Sequence, residues 1–209
     1  MQIIHGLLDW WHQQSWIELI GVLTGFICVY LAAINNIWNW PVAIVSVVIY
    51  IYVFYNYQLY ADMGLQIYFL ITSIYGWYYW SRNAELDVKM PVVLISRQQI
   101  IISIAIIAVV TPLLGFTLIS LSPILHYKPA AYPYLDSFCT TCSLIAQVYL
   151  TRKILENWLI WIFVDIIYVG VYIAKHLQPT AILYAAYIPI ALLGYLDWRK
   201  EYKKQQLLQ

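Results

Sequence analysis

The chain has 209 residues, of which 63% are hydrophobic and 10% charged, and its formal net charge is +1. Soluble domains carry about 25% charged residues, so this composition, with a mean hydropathy of +0.72, describes a polytopic membrane protein with little outside the bilayer. It excludes a basic nucleic-acid-binding surface. Cys28, Cys139 and Cys142 are too few for a disulfide framework.

Residues 1–16 contain no Lys or Arg and lack the basic start of a signal peptide. Within them, residues 7–12 carry two adjacent tryptophans and read as a short interfacial helix. Seven apolar runs follow, at about 16–34, 41–57, 63–80, 100–120, 137–151, 158–174 and 180–196. Several approach the 17–25 residues that a spanning helix needs. Most connections are short. The two long ones are about 81–99, which holds the charged segment 82–89, and about 121–136, broken by Pro123, Pro129 and Pro133. The basic tail 198–204 reads as an anchor.

Lys and Arg are distributed unevenly between the two ends of these helices. Arg82, Lys89, Arg97, Arg152, Lys153, Arg199, Lys200, Lys203 and Lys204 share one side; Lys128 and Lys175 hold the other. The positive-inside rule then predicts an external N-terminus and a cytoplasmic C-terminus. An odd number of spans agrees.

The sequence also repeats. A gap-free shift of 118 residues lays Asn39-Trp40 on Asn157-Trp158, Tyr50 on Tyr168, Leu59 on Leu177, Gly76 on Gly194 and Trp80 on Trp198. The single transmembrane domain is therefore expected to comprise repeat one (about 16–80), a linker helix (about 100–120) and repeat two (about 137–198). One intervening span gives both copies the same orientation, so the fold class is all-α with 3+1+3 parallel repeats. That architecture places a transport site near the midplane between the repeats.

The sixth helix carries the most pointed chemistry. Trp158, Trp161, Asp165, Tyr168 and Tyr172 fall on one face at helical spacing. A carboxylate in mid-span is expensive unless it faces the bundle interior or a cavity. Flanking aromatic rings suit a flat, cationic, aromatic ligand. An interfacial aromatic belt with one solvated Asp is the blander alternative. At the 118-residue shift, Trp40 matches Trp158 and joins the expected ligand wall, whereas Trp161 and Asp165 match the apolar Ala43 and Val47.

On the third helix Asp62, Gln66, Phe69 and Ser73 share a face. Asp62 lies at the outer end, as a mouth residue or simply a hydrated one. Gln66 lies a turn deeper and serves either a ligand or a neighbouring helix. On the fifth helix Asp136, Ser137, Thr140, Ser143 and Gln147 line up, as a polar pathway or as glue between helices. Thr140 and Gln147 are candidate ligand contacts; Asp62, Asp136 and Tyr172 are candidate gate residues.

Other chemistries find less support. Cys139-Thr-Thr-Cys142 has redox spacing, but no second pair relays electrons, so small packed residues explain it better than a thiol oxidoreductase. His5, His12, His126 and His176 do not cluster, which predicts no metal site. With no phosphate-binding glycine loop, catalytic triad or H-E-x-x-H motif, the chain is not expected to be an enzyme or to need a cofactor. A non-transporting membrane scaffold, in which Asp165 pairs only with a neighbouring helix, is the remaining alternative.

The segments Glu156-Asn-Trp-Leu-Ile-Trp161 with Asp165, Arg152-Lys153, Ile74-Tyr-Gly-Trp-Tyr-Tyr-Trp80, Gln58-Leu-Tyr-Ala61 with Gln66, and Leu135-Asp-Ser137 together resemble the PnuC family of bacterial vitamin transporters. The resemblance spans about 16–199. It implies a fold related to the SWEET sugar transporters, a homotrimer in the inner membrane, and facilitated diffusion of a vitamin that a cytoplasmic kinase then traps. Family substrates include nicotinamide riboside, thiamine and riboflavin. Members carrying nicotinamide riboside read W-x-x-W-x-x-x-N where this chain ends on Asp165, and that departure tilts the expectation slightly toward thiamine. Both molecules are aromatic cations.

Overall fold

The computed structural model describes residues 16–56, 60–85, 90–121 and 132–207. Among these are seven helices: α1 (Trp16–Ala33), α2 (Asn39–Asn56), α3 (Tyr60–Glu85), α4 (Arg97–Leu121), α5 (Pro133–Thr151), α6 (Asn157–Ala174) and α7 (Gln178–Leu207). The interfacial helix expected at residues 7–12 lies outside the described residues.

All seven expected spans are helices, with two extensions. α3 runs past Trp80 through Arg82, and α7 continues through the basic tail to Leu207. Apolarity marked where the hydrocarbon ends, whereas the backbone has no Pro or Gly there to stop it. Four helices are long and apolar enough to cross a membrane: α2, α4, α6 and, over Thr180–Gln206, α7. α1 carries a shorter apolar run, Leu19–Ala33. α5 is poorer in apolar residues because it is buried among its neighbours, including Ser137, Thr141, Ser143 and Gln147. A helix shielded by protein need not be apolar all round.

Short turns with left-handed residues join the antiparallel pairs. Asn35 (φ 59°) ends α1 and Lys153 (φ 54°) ends α5. The first turn has Asn35 N donating to Ala32 O and Asn36 N to Leu31 O; the second has Lys153 N donating to Leu150 O and Ile154 N to Tyr149 O. These bonds satisfy the carbonyls left over at a helix C-terminus. The next helix is then started by an amide side chain, Asn39 Nδ2 on Asn36 O (2.7 Å) and Asn157 Nδ2 on Ile154 O (2.6 Å). Every residue in one turn stands 118 positions from its counterpart in the other.

Helices α1, α2 and α3 pack in sequence, as do α5, α6 and α7; α1 meets α7 and α3 meets α5, while α4 touches α5 alone among the described helices. The core holds Ala32, Ala33, Trp40, Trp80, Trp158 and Trp198. Two indoles brace the helix ends across the molecule. Trp80 Nε1 donates to Thr151 O (3.0 Å) at the end of α5, and Trp198 Nε1 to Ala32 O (3.1 Å) at the end of α1. Trp198→Phe keeps an aromatic ring but removes the indole's hydrogen bond to Ala32 O, which still accepts from Asn35 N, at a cost of about 0.5–1.5 kcal/mol. The melting temperature in detergent is expected to fall by several degrees, with Trp80→Phe behaving alike.

The long connection after α3 is not wholly irregular. Val93 N donates to Lys153 O and Leu155 N to Val93 O, which pins this segment to the α5–α6 turn. The Glu156 carboxylate accepts from Ile95 N at 2.8 Å. Lys153 is buried there, its ammonium 4.2 Å from the Trp80 ring.

Candidate functional site

A cavity of about 230 Å³ opens between the two three-helix groups. α6 contributes Trp158, Trp161 and Asp165, which lie along one stripe because their spacing follows the helical turn. α5 contributes Gln147, and α3 contributes Phe69 and Ser73. α2 supplies Trp40 together with Ala43 and Val47, the small and apolar residues that match Trp161 and Asp165 at the 118-residue shift. Five expected ligand residues thus meet in one space: Trp40, Gln147, Trp158, Trp161 and Asp165.

Two features of the wall are chemically unsatisfied. Asp165 is only 6% exposed and has neither a salt bridge nor a hydrogen bond with any described residue. The indole N–H groups of Trp40 and Trp158, 1% and 2% exposed, meet no acceptor among the described residues. Buried polar groups without partners are uncommon. Here all three residues line an open space, where a ligand can supply partners. A cation would meet Asp165, and oxygen acceptors would meet the indoles.

Trp40 and Trp158 are held alike. Trp40 packs edge to face on Trp80 (5.3 Å, 88°), and Trp158 on Trp198 (5.5 Å, 90°). Gly76 lies under Trp40 and Gly194 under Trp158, so close that a β-carbon would overlap the ring.

The remaining expected residues do not line this cavity. Gln66 stands two turns before Ser73 on α3, and Thr140 two turns before Gln147 on α5, each about 10 Å along its helix. Tyr168 is one turn beyond Asp165 and close to Thr140. These three form a layer between the cavity and the end that carries Asp62 and Asp136. Helical phase placed them on the right face, but phase alone does not set depth. None of the three is part of the cavity wall.

Tyr168 belongs to an aromatic stack that closes this side. The Tyr184 ring lies 4.9 Å from that of Tyr168 and 5.3 Å from that of Tyr172. Tyr187 packs on Phe26 at 4.6 Å. Tyr184 and Tyr187 both line the cavity and were missed in the sequence. Their signal was the spacing Tyr184, Tyr187, Ala191 along α7, one aromatic face aligned with a buried small residue. Beyond the stack, the carboxylates of Asp62 and Asp136 repel each other and Lys175 attracts Asp136.

The hydroxyls of α5 largely serve their own helix. Ser143 donates to Cys139 O (2.9 Å) and Thr141 to Ser137 O (2.8 Å). Cys139 and Cys142 are free thiols buried against Val164, as packing residues would be.

A family model described as nicotinamide mononucleotide transporter matches residues 15–200. The chain belongs to this family, that of PnuC. The nicotinamide riboside transporter PnuC of Escherichia coli strain K12 is 30% identical over 206 residues, covering 90% of this chain and 86% of that one. The riboflavin/roseoflavin transporter RibM of Streptomyces davaonensis is 27% identical over 185 residues, covering 88% and 84%. A crystal structure of a vitamin B3 transporter PnuC matches with a TM-score of 0.70 over 97% of this chain and 90% of that one, at 23% identity, which establishes a shared fold. The protein is therefore a multi-pass membrane transporter of the PnuC vitamin type, and its unsatisfied cavity is the candidate vitamin site.

Proposed function

We propose that this PnuC-family chain imports nicotinamide riboside. The observation that carries the reading is the buried Asp165 carboxylate, without a partner among the described residues, between the cavity's aromatic walls. A pyridinium ring stacked at Trp158 and Trp161 would bring its positive charge to Asp165. The unpaired N–H groups of Trp40 and Trp158 would donate to ribose hydroxyls. The thiamine preference rested on that single carboxylate, which balances either cation equally. The names of the relatives weigh for nicotinamide riboside.

The matching turns and aromatic pairs at 118-residue separation support two parallel repeats, with α4 as linker. The lysine and arginine asymmetry supports a cytoplasmic C-terminus. Rocking of the repeats about the cavity would open it to either side, with the Tyr168, Tyr172 and Tyr184 stack and the Asp62–Asp136 mouth as the outer gate. Homotrimeric assembly in the inner membrane, kinship with SWEET transporters, facilitated diffusion and trapping by a cytoplasmic kinase follow from the family resemblance.

The test is fluorescence titration of the purified protein with nicotinamide riboside and, separately, thiamine. Nicotinamide riboside is expected to quench saturably, with thiamine several-fold weaker. Ten tryptophans contribute, so Trp161→Phe should remove part of the quenched amplitude. Quenching by thiamine alone would reassign the substrate, and silence from both would overturn the site.

A further inference from the structure

The membrane-facing side of the fold has a second, larger space. α3 and α4 both pack on α5 but are not in contact with each other. The gap between them is a groove of about 800 Å³. Its floor is Leu144 and Val148 of α5 with Arg152 just past the helix end, one residue per turn. From Tyr68 to Tyr79, both of which line it, α3 advances about 16 Å. That matches the half-thickness of a hydrocarbon core, about 15 Å.

The polar groups in its walls are already engaged. Tyr68 OH donates to Leu144 O (2.9 Å). Tyr149 OH donates to Gln99 O (3.1 Å) and also hydrogen-bonds Ser103 Oγ. What remains is an apolar trough with one cation at its end. Arg152 is exposed, has no carboxylate partner among the described residues, and stacks its guanidinium on Tyr79 (4.6 Å) and Tyr75 (5.3 Å). Exposed Trp77 and Tyr78 on the same end of α3 mark the headgroup level.

We infer that this groove is a binding site for an anionic phospholipid, one acyl chain lying between α3 and α4 and the phosphate meeting Arg152. The charge complementarity decides the occupant. Basic pockets between membrane helices take anionic headgroups, and a guanidinium fits phosphate oxygens in a fork. The lipid would brace the flank of α3, since an adjoining face of that helix, about a third of a turn round, brings Phe69 and Ser73 to the vitamin cavity.

The test uses the full chain purified in detergent and titrated with dioleoyl phosphatidylglycerol or dioleoyl phosphatidylcholine, read by native mass spectrometry. One phosphatidylglycerol per chain is expected to bind, roughly five-fold more tightly than phosphatidylcholine. Arg152→Gln should bring the two lipids level, and Val148→Trp, which fills the floor, should displace both. Helical circular dichroism controls for folding, so the result stands apart from the vitamin reading. Equal affinity of the wild type for both lipids, or a preference that survives Arg152→Gln, overturns the site. So does a lipid-free groove at which Val148→Trp changes the oligomeric mass, because a second copy then occupies it.

Discussion

Asp165→Ala is expected to weaken nicotinamide riboside binding about a hundredfold while leaving the ligand-free protein as stable as before, or more so. Removing one member of a buried charge pair costs about 2–5 kcal/mol, and each 1.4 kcal/mol is about tenfold in affinity. Within the bilayer the loss is little screened by solvent. The stability arm separates function from architecture. An unpaired buried carboxylate opposes folding, and Asp165 has no described partner to lose. Were it a structural ion pair, its removal would cost about 3–5 kcal/mol and the melting temperature would drop. Asp165→Asn keeps shape and hydrogen bonding but not the charge, so it should fall between, roughly tenfold weaker. Calorimetric titration and thermal melting of the same preparations give both arms. Unchanged affinity ends the charge-pairing role; a lowered melting temperature without any ligand effect returns Asp165 to the scaffold.

Much of this geometry was legible in the sequence because membrane helices leave few choices. Every backbone group must bond within its helix, so the seven apolar runs mapped directly onto α1 to α7. The Asn-Trp pairs at 39–40 and 157–158 marked two turns that share their hydrogen bonds, and Asp165 stood out because hydrocarbon tolerates no idle carboxylate. Depth was harder. Gln66, Phe69 and Ser73 share one helical phase, and only the tilt and contact of α3 decide that the last two reach the cavity. Tyr184 and Tyr187 were hidden by abundance: with 20 tyrosines in the chain, no single one signals a site until packing selects it. The gap between α3 and α4 has no local signature at all, since it arises from helices that fail to meet.

Gly76→Ala and Gly194→Ala should each reduce uptake at least tenfold, although neither glycine touches the cavity. A β-carbon on Gly76 would stand 2.5 Å from Trp40 Cη2, and one on Gly194 would stand 2.6 Å from Trp158 Cε2. Indoles are rigid, and these two are backed edge to face by Trp80 and Trp198. The open direction is the cavity, so the added methyl group drives an aromatic wall into the ligand's space. Overpacking of this kind also costs about 1–3 kcal/mol in stability. Gly64 and Gly170 are the internal controls. A β-carbon there meets nothing within 4 Å, and alanine in a helix interior is favoured over glycine by about 1 kcal/mol. Gly64→Ala and Gly170→Ala should therefore transport normally and melt no lower than the wild type. Radiolabelled nicotinamide riboside uptake into proteoliposomes, alongside thermal melting, checks all four. If Gly194→Ala loses stability yet transports normally, Trp158 can retreat without closing the site, and the indole is a helix brace and not a ligand wall. If Gly76→Ala and Gly194→Ala differ sharply in uptake while matching in stability, the two repeats share their packing but divide the binding work unequally, as the single carboxylate at Asp165 would require.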